Sequence, residues 1–311
     1  MTGMTEEQLI EHIARGGMVE GPEQATEGYL EALKKLLIGV ADSEFWGLAY
    51  YYEAIKDAPT INAYMAGVAL LQDEMGHATV AHRLLRDIGV DSEYLIYHRP
   101  LSELRHPYFF DIPMNTWAEF AVSTGLLDRA GFHLLGDIYE GTSYAPWKRA
   151  LVKVHREEDF HMRLGERWMA KLGETADGRR QVQRAIDWMF VMGLEFFGQP
   201  DERKKNVGQL GYRLRSKPND QIRQGWLADT VPLIERLGFT VPAHLDAESG
   251  RYLIDCPFPV DFDETEKRWR FEDGAVGWDK VLERWKRRGP GVEFCMDQVR
   301  AGYRELRAAA A

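Results

Sequence analysis

Glu74-Met75-Gly76-His77 and Glu158-Asp159-Phe160-His161 repeat one motif, and each follows a single carboxylate, Glu44 or Asp128, by thirty residues. On a helix, residues i and i+3 share a face one turn apart, so each glutamate and its histidine can aim at one point. Four helices, two giving one carboxylate each and two giving a Glu-x-x-His each, build an internal site for two metal ions. Hard carboxylate oxygens with one imidazole per metal, and positions left open, suit iron or manganese better than zinc or copper. A lone Glu-x-x-His is a weak signal, whereas the doubled form with matching upstream carboxylates is specific. Buried ion pairs in a helical bundle would explain one such residue in an apolar stripe. They do not explain six in duplicated order.

The elements that must carry these groups show as apolar stripes. A helix from about Thr26 to Lys56 places Leu37, Val40, Leu48 and Tyr51 on one side, with Glu44 inside that stripe. A carboxylate there needs a partner, because burying an unpaired charge is expensive. Pro59-Thr60 recaps the chain for a helix to about Arg86, whose inner face reads Gly67, Leu70, Leu71, Glu74, His77, Ala78 and Ala81. The stretch 91–114, rich in proline and aromatic residues, predicts an irregular crossover between two helix pairs. Asn115 or Thr116 caps the helix holding Asp128, and Pro146 opens one that runs to Gly173 with Leu151, Val154, Glu158, His161 and Met162 on one side.

Further elements are a short helix over 5–15 capped at Thr5, an apolar helix at about 178–198, a helix at 219–238, a hairpin near 250–260 and one or two terminal helices. The expected fold is all-α: a four-helix bundle over 26–198, a helical arm over 1–25, and a C-terminal extension over 199–311 with additional helices, a basic segment and an irregular tail.

The 311 residues, 45% hydrophobic and 28% charged, describe an ordinary globular protein able to bury a large core. A net charge of −10 argues against nucleic acid as a partner. No apolar run reaches the length of a membrane span and the N-terminus has no signal-peptide pattern, so the expected location is cytoplasmic. Cys256 and Cys295 stand far apart, without the spacing of a disulfide framework, zinc or iron–sulfur motif.

Other segments extend the metal motif: Asp57-Ala58-Pro59-Thr60, Gln72-Asp73 before the first motif, Thr142-Ser143-Tyr144 with Pro146, Asn219-Asp220, Arg223-Gln224 and Asp229-Thr230-Val231-Pro232. Together they resemble the catalytic, oxygenase subunits of bacterial multicomponent phenylacetyl-CoA ring epoxidases, which are ferritin-like di-iron monooxygenases. The resemblance runs roughly from residue 36 to 245. It implies a ferritin-like bundle with Glu44, Glu74, His77, Asp128, Glu158 and His161 as ligands of two iron ions, with manganese as the alternative metal. It further implies insertion of one atom of O2 into the aromatic ring of a CoA thioester, with electrons from NADPH through a separate flavin and iron–sulfur reductase. The implied partners are a related ferritin-like structural subunit plus a small accessory subunit. One departure from the family is the absence of Lys and Arg between Lys56 and Arg83, which widens the expected substrate to a related aryl- or acyl-CoA.

Around the ligands, Asp73 and Glu157 each precede a motif histidine by four residues, the spacing for a carboxylate to hold the imidazole's second nitrogen. Thr124, one turn before Asp128, is a candidate proton relay or oxygen gate, or else bonds back to its own helix. The basic segment Arg203, Lys204, Lys205, Arg213, Arg215, Lys217 and Arg223 can meet CoA phosphates, with Arg213, Arg215, Lys217 and Arg223 as the substrate-binding candidates. A solvated charged loop is the competing reading. Trp46 and the helix at 186–197 can line an aromatic pocket or simply fill the core, and His133 and His155 read as structural. Two other functions compete. One is a non-catalytic ferritin-like scaffold subunit; the complete ligand set argues against it. The other is an iron-oxidising ferritin-like protein, whose chain is typically far shorter.

Overall fold

The computed structural model describes residues 3–204 and 208–309, so Lys205 of the basic segment lies outside the described residues. The regular structure is helical apart from two short hairpins. Helix α1 (Glu6–Ala14) opens on a capping box in which Thr5 and Gln8 satisfy each other's backbone N–H groups. The single helix expected over 26–56 is divided into α2 (Glu27–Trp46) and α3 (Leu48–Ile55) at Gly47. A Cβ on Gly47 would lie 2.3 Å from the Phe110 ring, so the glycine gives that ring its place. Helix α4 (Ile61–Asp87) is capped by the Thr60 hydroxyl, which accepts from Ala63 N–H. The crossover holds one short α-helix, α5 (Ser92–Tyr97), and two 3-10 turns, Leu101–Glu103 and Tyr108–Asp111.

Thr116 caps α6 (Trp117–Val122), which continues through a π-helical turn, Ser123–Leu127, into α7 (Asp128–Gly141). The widened turn frees carbonyls from the i→i−4 ladder, and side chains take them up. Arg129 Nε donates to Gly125 O at 3.0 Å and Trp226 Nε1 to Leu126 O at 2.8 Å. Helix α8 (Ala145–Leu172), with Pro146 in its first turn, returns antiparallel after a three-residue turn. Gly165 on α8 meets Gly125 backbone to backbone, since a Cβ at 165 would stand 2.2 Å from Gly125 N.

Helices α2, α4, the α6–α7 rod and α8 make up a ferritin-like four-helix bundle: α2 packs on α4, α7 on α8, and α4 meets α8 across the middle. Helix α9 (Ala176–Phe196) backs the rod, and after the single turn α10 (Gly208–Gly211), helix α11 (Asn219–Arg236) packs on α7. Phe120, Phe190 and Trp226 are fully buried in the core these helices share, each contributing roughly 1.5–3 kcal/mol by burial.

The tail is more ordered than its periodicity suggests. The hairpin expected near 250–260 is β1 (Ala243–Asp246) with β2 (Arg251–Ile254), followed by β3 (Phe262–Asp263) with β4 (Arg268–Trp269). Helices α12 (Trp278–Arg287) and α13 (Val292–Ala309) close the chain. Phe262, Trp269, Val292 and Met296 join this segment to the core, and buried ion pairs fasten it further. Arg284 of α12 holds Glu195 of α9 at 2.6 Å, and Arg288 holds Asp111 of the crossover at 2.8 Å.

Candidate metal centre

Each of the four bundle helices turns a carboxylate inward, Glu44 from α2, Glu74 from α4, Asp128 from the start of α7 and Glu158 from α8, and the two imidazoles stand beside them. The donor atoms form two overlapping groups, Glu44, Glu74, His77 and Glu158 in one, Glu74, Asp128 and His161 in the other. Within each group the atoms lie within 4.8 Å of one another. His77 Nδ1 stands 3.2 Å from Glu74, 3.4 Å from Glu158 and 3.6 Å from Glu44. His161 Nδ1 stands 3.2 Å from Glu74 and 3.8 Å from Glu158. Glu74 and Glu158 thus face both imidazoles, and all six side chains predicted as ligands are brought to one place.

The site fits a pair of hard cations. His77 Nδ1, His161 Nδ1, Glu74 Oε2 and Asp128 Oδ2 are buried and have no hydrogen-bond partner. Nitrogen lone pairs and carboxylate oxygens pointed at one another repel unless positive charge stands between them. Without a metal, protons supply that charge. Burial, then the neighbouring Glu74 carboxylate, raises Glu44 and Asp128 far above the usual carboxylate range. Burial opposes charge on the imidazoles, but at His77 the carboxylates of Glu158, Glu44 and Glu74, and at His161 above all Glu74, hold both protonated. Glu74 is pushed upward by burial and brought well below its normal value by His161 and His77.

The outer nitrogens of the imidazoles face carboxylates of the opposite helix, a different pairing from the intrahelical one expected. Glu157 of α8 accepts from His77 Nε2 at 3.0 Å, whereas Asp73 of α4 stands 3.5 Å from His161 Nε2, which makes no hydrogen bond. With each Nδ1 turned to the centre, Nε2 projects across the seam, where the opposite helix supplies the carboxylate. The His77–Glu157 bond therefore ties α4 to α8.

Thr124 does not stand beside Asp128. Its hydroxyl donates to Phe120 O and Ala121 O, the extra residue of the π turn having rotated it toward Gly165. Ser123 takes the position instead, through Tyr51. The Tyr51 hydroxyl donates to Asp128 Oδ1 at 2.6 Å and lies 2.8 Å from Ser123 Oγ. Burial, then the Asp128 carboxylate, raises this phenol far above its normal range, so it stays a donor. Tyr51 was visible only as part of an apolar stripe. Its one sequence signal is a position two turns after Glu44.

On the carboxylate side a small cavity of about 30 Å³ reaches all four acids, and neither histidine lines it. Gly47, Leu48, Tyr51, Phe110, Leu127, Gly131 and Phe196 form its remaining wall with Ser43. Phe110 comes from the crossover and escaped notice in the sequence, while Phe196 comes from the apolar helix singled out there. Trp46 is core, His155 stacks on Phe132 and His133 faces Asp229.

The four basic candidates lie away from this cavity. Arg223 is buried and donates to Leu194 O, Gly198 O and Asp220, and Arg215 is buried against Asn219. Burial in structural bonds keeps these two from a phosphate, correcting the expectation for them. Arg213 and Lys217 keep exposed or half-exposed heads, Lys217 near Asp137 and Glu140.

The family model described as phenylacetic acid catabolic protein matches residues 4–259. One component of the 1,2-phenylacetyl-CoA epoxidase of Escherichia coli (strain K12) is 31% identical over 256 residues, covering 80% of this chain and 82% of that protein.

Proposed function

Since the chain belongs to the phenylacetic acid catabolic protein family, we propose that it is the oxygenase subunit of a multicomponent di-iron monooxygenase, epoxidising the ring of phenylacetyl-CoA or a related aryl- or acyl-CoA. The observation that carries this reading is the two-lobed donor set, four carboxylates and two imidazoles with unpartnered inner nitrogens, opening on one side to a largely apolar cavity.

Glu44, Glu74, His77 and Glu158 would hold one metal, and Glu74, Asp128, His161 and Glu158 the other. Two iron ions, or manganese in place of one, would supply the electrons and open positions at which O2 is reduced. The chain's own residues do the rest. Glu157 fixes the His77 ring, Asp73 lies within reach of the His161 ring, and Tyr51 orients Asp128. Phe110, Phe196, Leu48 and Leu127 wall the space beside the carboxylates with apolar surface, and an aryl group is admitted there as these side chains move aside. Gly131 leaves room there, because a Cβ on it would meet only Glu158, at 4.0 Å. Of the four cations expected at CoA phosphates, Arg213 and Lys217 are retained as candidates. Electrons arrive from NADPH through a separate flavin and iron–sulfur reductase. The complex is completed by a related ferritin-like structural subunit with a small accessory subunit.

The test is a single turnover. Iron-loaded, chemically reduced chain is mixed with phenylacetyl-CoA and isotopically labelled O2, and the thioester is examined by mass spectrometry. One labelled oxygen per product molecule supports the reading. Release of hydrogen peroxide with unlabelled thioester, repeated with aliphatic CoA thioesters and the partner subunits present, refutes it.

A further inference from the structure

We propose that Tyr51, Trp117 and Trp168 form a one-electron escape route that drains oxidising equivalents from the metal centre to the surface when no thioester is bound. The inference rests on the reading of the site as an O2-activating centre and adds to it a protective redox activity.

The route is laid out in ring contacts. Tyr51 lines the cavity and is hydrogen bonded to Asp128, so it is the oxidisable side chain nearest the centre. Its ring meets Phe120 edge to face with centroids 5.5 Å apart, Phe120 stacks on Trp117 at 4.6 Å, and Trp117 meets Trp168 at 5.3 Å. Tyr51, Phe120 and Trp117 are buried, whereas Trp168 on α8 is half-buried and reaches solvent. Phenylalanine is not oxidised by its neighbours, but a single ring between a phenol and an indole is a short bridge for electron tunnelling. A phenol, one phenyl bridge and two indoles in contact therefore run from the cavity to the outside.

A second series of rings also leaves Tyr51, through Phe110, Phe109 and Trp188, with centroid separations of 6.4, 4.8 and 5.9 Å. It needs two phenylalanine bridges to reach a buried indole with the Lys267 ammonium 5.6 Å above its ring, and continues through Phe262 only to Trp269, also buried and with the Arg284 guanidinium 5.4 Å above it. A cation over the indole face stabilises the neutral ring and opposes loss of an electron from it. The Trp168 branch carries no such cation among the described contacts, so it is the path of lower energy.

Each step balances. An O2-derived oxidant stranded without substrate takes one electron from Tyr51, whose phenolic proton moves along its hydrogen bond to Asp128 Oδ1, leaving a neutral phenoxyl. One electron from Trp117 through the Phe120 ring, with the proton returning from Asp128, restores the phenol. Trp168 then refills Trp117 and releases its indole proton to water. A thiol from solvent gives the hydrogen atom that restores Trp168. Where thiol is absent, the indole radical adds O2, and the resulting peroxyl takes one electron from residual ferrous iron and a proton from water, leaving a hydroperoxide on the tryptophan.

The experiment loads the full chain anaerobically with ferrous iron, admits O2 without thioester or thiol, and follows two signals besides activity: the protein radical by electron paramagnetic resonance, and oxygen addition by peptide mapping. Iron per chain is measured on every sample. In the native chain the radical narrows when tyrosine is deuterated, and oxygen accumulates on Trp168 in preference to Trp188. Tyr51→Phe keeps the ring packing, abolishes the tyrosine component and lowers oxygen addition at Trp168 several-fold. Trp168→Phe, which leaves the metal surroundings intact, lengthens the life of the Tyr51 radical. Trp168 oxidation unchanged by Tyr51→Phe at equal iron content, or a radical life unchanged by Trp168→Phe, overturns the route alone. A native chain that binds no iron overturns the route together with the proposed function.

Discussion

Gly165→Ala tests whether the close crossing of α8 over the π turn sets the position of the metal ligands. A Cβ at 165 would stand 2.2 Å from Gly125 N, 2.6 Å from Gly125 Cα and 2.6 Å from Thr124 Oγ1. Ordinary contact between such atoms is about 3.5 Å, so α8 must retreat by about 1 Å, because two of the three obstacles are backbone. Overpacking of this kind costs about 1–3 kcal/mol, and the upper end applies where no side chain can turn aside. Alanine returns about 1 kcal/mol of helix propensity, leaving a net loss of about 2 kcal/mol and a fall in Tm of about 3 °C for a chain of this size. The same retreat moves Glu158 and His161, which share α8, away from Asp128 on the rod, so the lobe of Glu74, Asp128 and His161 loses metal first. Gly76→Ala is the control. It sits on α4 with nothing within 4 Å of its Cβ position, and alanine there stabilises by about 0.5–1 kcal/mol. Differential scanning calorimetry with and without ferrous iron reads both. A Gly165→Ala chain that melts with the native protein and binds metal equally well would refute the reasoning.

Exchanging the outer carboxylates has unequal effects: Glu157→Gln, which weakens the 3.0 Å bond to His77, lowers metal affinity by about 10–100-fold, and Asp73→Asn, at 3.5 Å from His161, by less, as measured by competitive chelator titration. The metal-free chain loses stability as pH rises. Glu44, Asp128, His77 and His161 all have raised values when folded, so the fold holds protons that the unfolded chain releases above the ordinary values of 4.5, 3.8 and 6.5. Its Tm accordingly falls from about pH 4 upward, and further above 6.5 as the histidines join, while that of the iron-loaded chain does not, and parallel curves would contradict the assignment. His82 gives the opposite sign. Burial lowers it to about 4, so its contribution is present above 6.5 and lost as pH falls, and His82→Gln removes part of the acid sensitivity in that window of urea midpoints. Arg284→Met strands Glu195 in the core and costs about 3–5 kcal/mol in denaturant titration, whereas Arg284→Met combined with Glu195→Leu recovers most of it.

The bundle and its ligand spacing were legible because helical geometry converts i and i+3 into one face, and the motif occurs twice. Caps such as Thr5, Thr60 and Thr116 were legible for the same local reason. What escaped depends on contacts between distant segments. The break at Gly47 exists to admit Phe110 from the crossover, and the π turn is sustained by Arg129 and by Trp226 from α11, a hundred residues beyond the carbonyl it caps. That turn also moved Thr124 away from Asp128, which no helical wheel of 3.6 residues per turn can show. Asp73 and Glu157 were identified from an intrahelical spacing, yet each faces the histidine of the opposite helix. The order of the tail was hidden because Arg284 and Arg288 fasten it by charge to Glu195 and Asp111, and such pairs leave no periodic trace.

The central claim is that the duplicated motif holds two metal ions. The most direct measurement is iron per chain after anaerobic loading and removal of excess, on the native protein and on Glu158→Ala, whose carboxylate faces both imidazoles. About two irons per native chain, lost in the variant, are the expected result. No retained iron in a folded native chain would contradict it and leave the chain as a non-catalytic scaffold subunit.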